Sequence, residues 1–433
     1  MVVRNSASKM LKSKLYSRGV FVLGAVQLIE SIAFALPMSY FPNYVIGLGA
    51  SVASLGLFIS SFMVSSAIMS PRMGALSDRE GRKKMMVFGL IGDIIFGTLT
   101  GLVPSWHWLL LVRVLNGAVS SAAMLSAEAL LIDTVPPTQR GEASGFVMAM
   151  GMVGRNIGPV FGGVIQWYSL SIGLSVLNSY RIPYFVDSAL ASVALVMVVM
   201  LVHEPKVEGR HREMRLEAAR NAAKVPLSTS FKVLLIYSFI NGLGVGFIMP
   251  ISVLFYNDKF GIDPIQIGTI ISISGFVGLF ASWLAGRVSD RAGRMPIIVS
   301  GNIVSRLCGF ALPLTADVTQ AAGVMSVRSL GFSVSMPALR ALRADITPPE
   351  ARGRFFGMFM TAWTTGDIVG PIMGSFLYDL YRFSSFNVGG FTLPGYGIPF
   401  FLNAVLGLAA TFFLLAFVGE PKIHEAHPPV PLE

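Results

Sequence analysis

The sequence contains little charge and almost no cysteine. Lys, Arg, Asp and Glu make up 13% of its 433 residues, whereas soluble globular chains carry about a quarter. Cys308 is the only cysteine, so no disulfide can form within the chain. No Cys-x-x-Cys or Cys/His spacing typical of a metal site occurs, and neither a metal nor a cofactor is expected. Apolar residues supply 53% of the chain, which predicts a protein that lies in lipid.

The apolar residues are grouped into twelve runs, each long enough to cross a bilayer. A helix needs about 20 residues to span a hydrocarbon core of about 30 Å. The pattern predicts an all-α integral membrane protein with twelve transmembrane helices, numbered here as spans 1 to 12. Their predicted bounds are 19–46, 53–74, 85–104, 107–134, 143–167, 183–203, 231–256, 264–286, 297–315, 317–344, 355–380 and 397–419.

Basic residues fall mainly on one side of this topology. Most of the 33 Lys and Arg residues lie in the amino-terminal arm, the even-numbered loops and the tail, and only Arg181, Lys259 and Arg382 lie in the odd-numbered loops. Because Lys and Arg concentrate in cytoplasmic loops, both termini are predicted to be cytoplasmic in a multi-pass plasma-membrane protein. The net charge of +10 is spread in short loops along one membrane face. This distribution argues against a nucleic-acid partner.

An internal repeat with a constant offset of 212 residues relates the two halves of the chain. The matched positions are mostly Gly, Pro, Asp and Arg, and they keep one register over about a hundred residues. The pairs include Gly74 and Gly286, Asp78 and Asp290, Arg82 and Arg294, Asp133 and Asp345, Arg140 and Arg352, Gly158 and Gly370, and Pro159 and Pro371.

The repeat predicts two six-helix bundles. Because six is even, both copies insert in the same orientation and are related by a pseudo-two-fold axis along the membrane normal. The predicted organisation is an amino-terminal bundle over 1–203, a cytoplasmic linker over 204–230, a carboxy-terminal bundle over 231–419 and a cytoplasmic tail over 420–433.

The loop between spans 2 and 3 resembles the signature loop of the major facilitator superfamily. It reads Gly74-Ala-Leu-Ser-Asp78-Arg79-Glu-Gly81-Arg82, and a second copy follows span 8. The resemblance implies the fold of that family and a loop that latches the cytoplasmic side in one conformation. The predicted cytoplasmic gate comprises Gly74, Asp78, Arg79, Gly81, Arg82, Asp133, Arg140, Asp290, Arg291, Arg294, Asp345 and Arg352. The alternative is that these charges only set the topology, and it has more weight for the second copy, where Met295 and Pro296 replace two lysines.

Span 5 contains a Gly-Pro segment that is similar to one found in the antiporter branch of this family, notably in drug:proton antiporters. Small residues at every fourth position let helices touch backbone to backbone, and the proline bends its helix. The resemblance implies a hinge at Gly154, Gly158, Pro159 and Gly162 in span 5 and at Gly370, Pro371 and Gly374 in span 11. The alternative is a packing motif that has no bearing on the direction of transport.

Ionisable residues inside the spans are costly and are therefore functional candidates. Glu30 lies near the middle of span 1, and burial of a carboxyl group favours its neutral, protonated form, so Glu30 is the first candidate proton carrier. Arg155 and Asp367 occupy repeat-equivalent positions with opposite charge. They are predicted to pair, either as a switch or as a permanent structural bridge.

Further polar residues complete the candidate cavity. Arg113 and Asn116 lie in a segment of span 4 that resembles the Arg-x-x-x-Gly segment of proton-coupled family members. Asp93 is one possible partner of Arg113. Asn241 and Trp363 are predicted to line the cavity, whereas Asp93, Asp187 and Arg306 are interpreted as scaffold charges and Arg328 is left unassigned.

The predicted function is secondary active transport by alternating access. Phosphate-cradling loops and nucleophile elbows are absent from the sequence, which argues against an ATP-driven pump or an enzyme. The first hypothesis is proton-coupled efflux of hydrophobic or amphipathic small molecules by a monomer in the lipid bilayer. The alternatives are gradient-coupled transport of small organic anions or metabolites, with Arg113, Arg155 and Arg328 as ligands, and an amphipathic lipid flippase. A non-transporting receptor is disfavoured by the short loops.

Overall fold

The computed structural model describes residues 18–204, 226–348 and 351–419. The predicted tail over 420–433 and most of the predicted linker lie outside the described residues.

The described residues are almost entirely helical. The α-helices are α1 Arg18–Ala35, α2 Phe41–Gly47, α3 Leu55–Glu80, α4 Arg82–Leu102, α5 Trp106–Thr134, α6 Arg140–Ser171, α7 Val176–Leu201, α8 Thr229–Ile248, α9 Ser252–Phe260, α10 Pro264–Ala292, α11 Arg294–Ala311, α12 Val318–Ile346, α13 Arg352–Tyr381 and α14 Ile398–Phe417. A two-stranded antiparallel hairpin, β1 Ser385–Val388 and β2 Phe391–Pro394, joins α13 to α14. The helices match the predicted spans in order, with α1 and α2 forming span 1 and α8 and α9 forming span 7.

Nine helical segments of the described residues are long and apolar enough to cross a membrane. The other three long helices, α6, α12 and α13, are 32, 29 and 30 residues long. Each carries an ionisable residue in its middle part, Arg155, Arg328 and Asp367 respectively. These three spans are therefore the more polar ones, which is expected of helices that do more than contact lipid.

Spans 1 and 7 are broken helices, although the sequence predicted continuous runs there. α1 ends at Ala35, and a 3-10 turn over Leu36–Ser39 leads into α2. α8 ends at Ile248 and α9 starts at Ser252. Prolines cause both breaks, because Pro37 and Pro250 lack the backbone N–H that a continuous helix needs. The breaks are equivalent in the repeat.

The chain forms two compact units, and two helices pass from one unit to the other. The first unit comprises described residues 18–50, 61–204 and 262–272, and the second comprises 51–60, 226–261, 273–348 and 351–419. The halves predicted from the repeat would assign 51–60 and 262–272 the other way round. Close backbone packing explains the difference, because Gly56 lies against Pro371 and Gly268 lies against Pro159.

Each unit has its own apolar core. In the first unit, α1, α4, α5 and α7 bury residues such as Leu23, Leu90 and Val198. In the second unit, aromatic rings fill the core, and the ring of Phe231 lies 4.1 Å from that of Phe355 and 4.8 Å from that of Phe359, measured between centroids. Such aromatic contacts add to the stabilisation that burial gives.

The predicted hinge glycines are sites of close helix packing. Gly154, Gly158 and Gly162 let α6 touch the backbone of span 1, and a methyl group at Gly162 would overlap the Leu36 carbonyl. In the same way Gly366, Gly370 and Gly374 let α13 touch the backbone of α8. Pro159 and Pro371 lie within α6 and α13. A role for these segments as hinges stays a prediction.

We expect Gly162→Ala to destabilise the protein, because the added methyl group must displace the Leu36 backbone. Overpacking of this kind costs about 1–3 kcal/mol. Gly145→Ala is the matched control in the same helix, because a Cβ atom at Gly145 meets nothing within 4 Å. Heat-unfolding midpoints of the purified variants test this, with a lower midpoint for Gly162→Ala only. Equal midpoints would contradict the close packing of α6 on span 1.

Candidate functional site

The turn between α3 and α4 carries an ion-pair cluster centred on Arg82. Its guanidinium forms salt bridges with Asp78 and, at 3.2 Å, with Asp133 at the end of α5. It also donates to Ser77 Oγ at 3.3 Å, and the Arg82 side chain is largely buried. Gly81 makes the turn possible, because its φ of 107° is rarely adopted by other residues. Arg82 therefore contacts two other predicted gate residues and joins α3, α4 and α5.

The same turn contains a functional candidate that sequence reasoning missed. The Glu204 carboxylate accepts hydrogen bonds from the backbone N–H groups of Arg82 at 2.6 Å and Lys83 at 2.7 Å, and it thereby caps the amino terminus of α4. Lys83 Nζ donates to the Val199 carbonyl at 2.8 Å. The available signal was the Glu-Pro-Lys sequence that follows both the sixth and the twelfth span.

The remaining first-copy gate residues do not all join this cluster. Arg140 Nε donates to the carbonyls of Ile132 at 3.0 Å and Val135 at 3.3 Å, so it caps the end of α5 rather than pairing with an acid. Arg79 is exposed. A Cβ atom at Gly74 would meet nothing within 4 Å, so this glycine is not a site of close helix packing in the structure.

The second copy retains the central ion pair. Arg294 Nε lies 3.5 Å from Asp345 Oδ2, at the repeat-equivalent positions of Arg82 and Asp133. Gly293 has a φ of 91°, like Gly81. The side chains of Asp290 and Arg291 lie outside the described part of the structure, and Arg352 is exposed at the start of α13.

Glu30 on α1 has an unsatisfied carboxylate. Its Oε1 atom is buried and has no hydrogen-bond partner among the described residues. The carboxylates of Asp93 on α4 and Asp187 on α7 lie close enough to interact electrostatically with Glu30. Three carboxyl groups thus share the interior of the first unit, and ionising all of them at once is costly.

Arg113 is the basic residue of this interior, but its contacts differ from the prediction. Its guanidinium lies over the Phe41 ring, 4.5 Å from the centroid, and it acts electrostatically on Asp187. Asp93 instead accepts a hydrogen bond from Ser120, whose hydroxyl oxygen also lies 2.7 Å from Asn116 Oδ1. The prediction that Asp93 pairs with Arg113 is therefore wrong, since the two side chains form no ion pair among the described residues. The opposite charges of the two residues suggested the pair, whereas in the structure Asp93 bonds a hydroxyl and Arg113 lies over an aromatic ring.

Asn241 does not line a cavity but holds a buried arginine. Asn241 Oδ1 on α8 and Asn403 Oδ1 on α14 each accept a hydrogen bond of 2.6 Å from the Arg306 guanidinium. Gly244 and Gly407 leave room for that guanidinium, because Cβ atoms there would collide with it. All three polar residues are buried. The cavity prediction for Asn241 is thus wrong, and the residue serves a polar link among α8, α11 and α14.

The second unit contains another buried arginine that sequence reasoning missed. Arg343 on α12 donates to Ser238 Oγ at 2.7 Å and lies 5.0 Å from the Phe359 ring centroid. Arg343 lies near the end of a predicted span, where an arginine is normally interpreted as a residue that sets the membrane orientation. Its burial follows from the tertiary packing alone.

Arg155, Asp367 and Trp363 are described within their own units. Arg155 is exposed on α6 in the first unit. Asp367 on α13 in the second unit has a buried Oδ1 atom that lacks a hydrogen-bond partner among the described residues. Trp363 is half-buried one turn earlier on the same helix. Pairing between Arg155 and Asp367 stays a prediction.

Comparison with known protein families and sequences gives consistent matches over most of the chain. A family model described as Major Facilitator Superfamily matches residues 23–238 and 234–432. Multidrug resistance protein 2 of Bacillus subtilis (strain 168) is 27% identical over 374 residues, covering 84% of this chain and 90% of that protein. Multi-drug resistance efflux pump PmrA of Streptococcus pneumoniae is 26% identical over 368 residues, covering 82% and 86%.

Solved structures match the fold as well. The crystal structure of a bacterial homolog to the human lysosomal transporter Spinster gives a TM-score of 0.78 at 16% identity and covers 94% of this chain and 97% of that chain. A D-xylose-proton symporter gives 0.71 at 18% identity, covering 93% and 98%. At these identities the matches concern the fold alone.

We expect Asn241→Ala to destabilise the protein, because it removes one of two acceptors from the buried Arg306. Leaving a buried charged donor unpaired costs about 1–3 kcal/mol or more. Asn403→Ala should have a similar effect, whereas Asn241→Asp should be tolerated because a carboxylate keeps the acceptor and adds opposite charge. Heat-unfolding midpoints measure all three variants. Unchanged stability in both alanine variants would contradict the polar link.

Proposed function

The chain belongs to the major facilitator superfamily, and from this premise we propose that it exports hydrophobic or amphipathic compounds in exchange for protons. It is a multi-pass membrane protein with an alternating-access transporter fold, and it is not an enzyme. The names of its relatives, multidrug resistance protein and multi-drug resistance efflux pump, support this class of substrate.

The observation that carries the proposal is the unpartnered carboxylate oxygen of Glu30. A carboxylate buried in a membrane span normally acquires a fixed partner, because an isolated charge there is costly. The Glu30 Oε1 atom has none among the described residues. It is therefore available to bind a proton or the cationic group of a substrate, one at a time.

The surroundings of Glu30 favour such an exchange. Asp93 and Asp187 repel a negative charge at Glu30, while Arg113 partly offsets the charge of Asp187. Adding a proton relieves this repulsion, and a cationic substrate relieves it equally well. Because both ligands neutralise the same cluster, each displaces the other, and their movements become coupled.

The other elements take roles in the conformational cycle. The Arg82 and Arg294 clusters serve as cytoplasmic gates, and the glycine-rich segments of α6 and α13 serve as hinges that keep the helices in close contact. The asymmetric Lys and Arg distribution supports a plasma-membrane orientation with both termini in the cytoplasm. Arg155 and Asp367 form a switchable pair in this mechanism. The protein works as a monomer, and the proton is its coupling ion.

We expect Glu30→Gln to abolish proton-driven efflux while preserving the fold. The amide is nearly isosteric but neither binds nor releases a proton at working pH. Proteoliposomes with an imposed pH gradient and a fluorescent hydrophobic cation measure this, with an expected loss of about tenfold or more in gradient-driven efflux. Gradient-independent exchange of the same cation should weaken as well, because the neutral amide offers the cation no opposite charge.

The matched control is Glu142→Gln. Glu142 is an exposed carboxylate in the first turn of α6 and should be dispensable. Coupled efflux that survives in Glu30→Gln would remove Glu30 from the mechanism. A lack of any cation efflux in the unaltered protein would instead refute the proposed substrate class.

A second candidate function is transport of small organic anions, and Arg328 on α12 favours it. Its guanidinium donates to Met325 Sδ at 3.6 Å, and sulfur is a weak acceptor. A guanidinium with such a partner keeps strong donors available for a carboxylate or phosphate group. Arg306, by contrast, is already held by two asparagines.

If anions are the substrates, Arg328→Gln should reduce anion uptake by about tenfold or more, the effect of losing one strong charged contact. A thermal-shift screen of the purified protein with organic acids, amphipathic cations and lipids distinguishes these substrate classes. A ligand that binds the native state raises the midpoint of heat unfolding. Stabilisation by cations alone would argue against the anion function, and stabilisation by lipids alone would favour a lipid flippase.

A further inference from the structure

The amino terminus of α3, taken together with the 3-10 turn Val52–Ser54 that leads into it, lacks a cap from its own sequence. Ser51 occupies the cap position of that turn, but its side chain makes no capping hydrogen bond. At the repeat-equivalent position, Asp263 accepts from the Gln266 N–H at 3.0 Å, and Gln266 Oε1 accepts from the Asp263 N–H at 3.3 Å. α10 therefore has a capping box of its own, whereas α3 has none.

The missing cap comes from another helix. Asp379 Oδ2 on α13 accepts a hydrogen bond of 3.3 Å from the Ala53 N–H, in the 3-10 turn that leads into α3. The repeat gives no hint of this contact, because Trp167 stands at the position equivalent to Asp379. A carboxylate at a helix amino terminus is stabilised by the exposed N–H groups and the helix dipole.

A small ion-pair network holds Asp379 in place. Arg382 Nε lies 3.7 Å from Asp379 Oδ1, and Arg382 Nη1 lies 3.9 Å from Asp258 Oδ2. Tyr378 Oη donates to the same Asp258 oxygen at 3.0 Å. Asp379, Arg382 and Asp258 are all partly exposed, so solvent reaches this network.

Two further contacts continue the attachment along one face of each helix. Gly56 packs on the Pro371 backbone, and Ser60 Oγ donates to the Ile368 carbonyl at 2.5 Å. Residues 53, 56 and 60 recur at helical spacing, so they lie along one stripe. The segment 51–60 is thus fastened to α13 at its start, middle and end, whereas α3 beyond Ser60 belongs to the first unit.

We propose that Asp379 is a positioning residue for transport: it caps α3 from α13, holds segment 51–60 against α13 in one conformation, and releases it in the other. The proposal rests on the alternating-access function proposed above. The Ala53 N–H loses this partner when the two segments separate, so the contact favours the attached state. α10, which carries its own cap, has no such dependence on a partner helix.

The test measures release of segment 51–60 without measuring transport. Ser375→Cys is the reporter, because Ser375 is buried on α13 between Pro371 and Asp379 and on the same stripe. Cys308→Ser removes the native thiol. The rate at which a maleimide labels the reporter in nanodiscs is compared for Asp379→Ala, Asp379→Glu and the unaltered carboxylate. Asp263→Ala is the matched control, because it removes the cap of α10 instead.

We expect Asp379→Ala to raise the labelling rate about fivefold to tenfold, as the loss of a cap of about 1 kcal/mol or more implies. Asp379→Glu should stay near the unaltered rate, and Asp263→Ala should leave it unchanged. An unchanged rate in Asp379→Ala, or an equal rise in Asp263→Ala, would overturn the proposal.

The double variant Ser51→Asp with Asp379→Ala distinguishes a role of Asp379 in holding segment 51–60 against α13 from a role in stabilising the fold alone. The new aspartate supplies α3 with a cap of its own, so it should restore the unfolding midpoint while labelling stays fast. If it restores both, Asp379 is only a stabilising cap and the proposal is wrong. If labelling behaves as expected but no substrate is moved, the proposed function fails while the inference about Asp379 stands.

Discussion

The cost of leaving a polar group without a partner in the membrane governs this structure. Water is absent from the bilayer core, so each buried donor or acceptor needs a partner within the protein. Arg306 meets this requirement at its two terminal nitrogens, which donate to asparagine oxygens. Helix ends meet it with carboxylates, as Glu204 does for α4. Against this background, the buried carboxylate oxygens of Glu30 and Asp367, which lack a hydrogen-bond partner among the described residues, are candidates for a functional role.

Much of the fold could be predicted because its signals repeat. The length of the apolar runs gives the spans, and the constant offset of 212 gives two copies of one pattern. The repeat also placed Arg82, Asp133, Arg294 and Asp345 in one predicted gate, and the structure shows that they form the ion pairs Arg82 to Asp133 and Arg294 to Asp345. The breaks within spans 1 and 7 were harder to predict, because hydropathy does not distinguish a continuous helix from two shorter ones.

The candidate site was less predictable, because it depends on which side chains face each other. The sequence alone does not distinguish a polar residue that lines a cavity from one that binds a buried arginine. Asn241 binds Arg306. Arg113 contacts an aromatic ring, which no charge pattern indicates. The cap of α3 by Asp379 departs from the repeat altogether, so the repeat could not reveal it. The internal repeat thus predicts the contacts that both copies share and does not predict the contacts that occur in only one copy.

The contact between Glu204 and α4 determines where the chain can be cut if its two halves are to be expressed as separate polypeptides. Glu204 stands after the sixth span, at the first position of the predicted linker between the two repeats, yet its carboxylate completes a helix that begins at Arg82. A fragment that stopped at the end of α7 would have all six spanning helices and still lack a structural part of the third. Split versions intended for co-expression of separate pieces must therefore be cut downstream of Glu204.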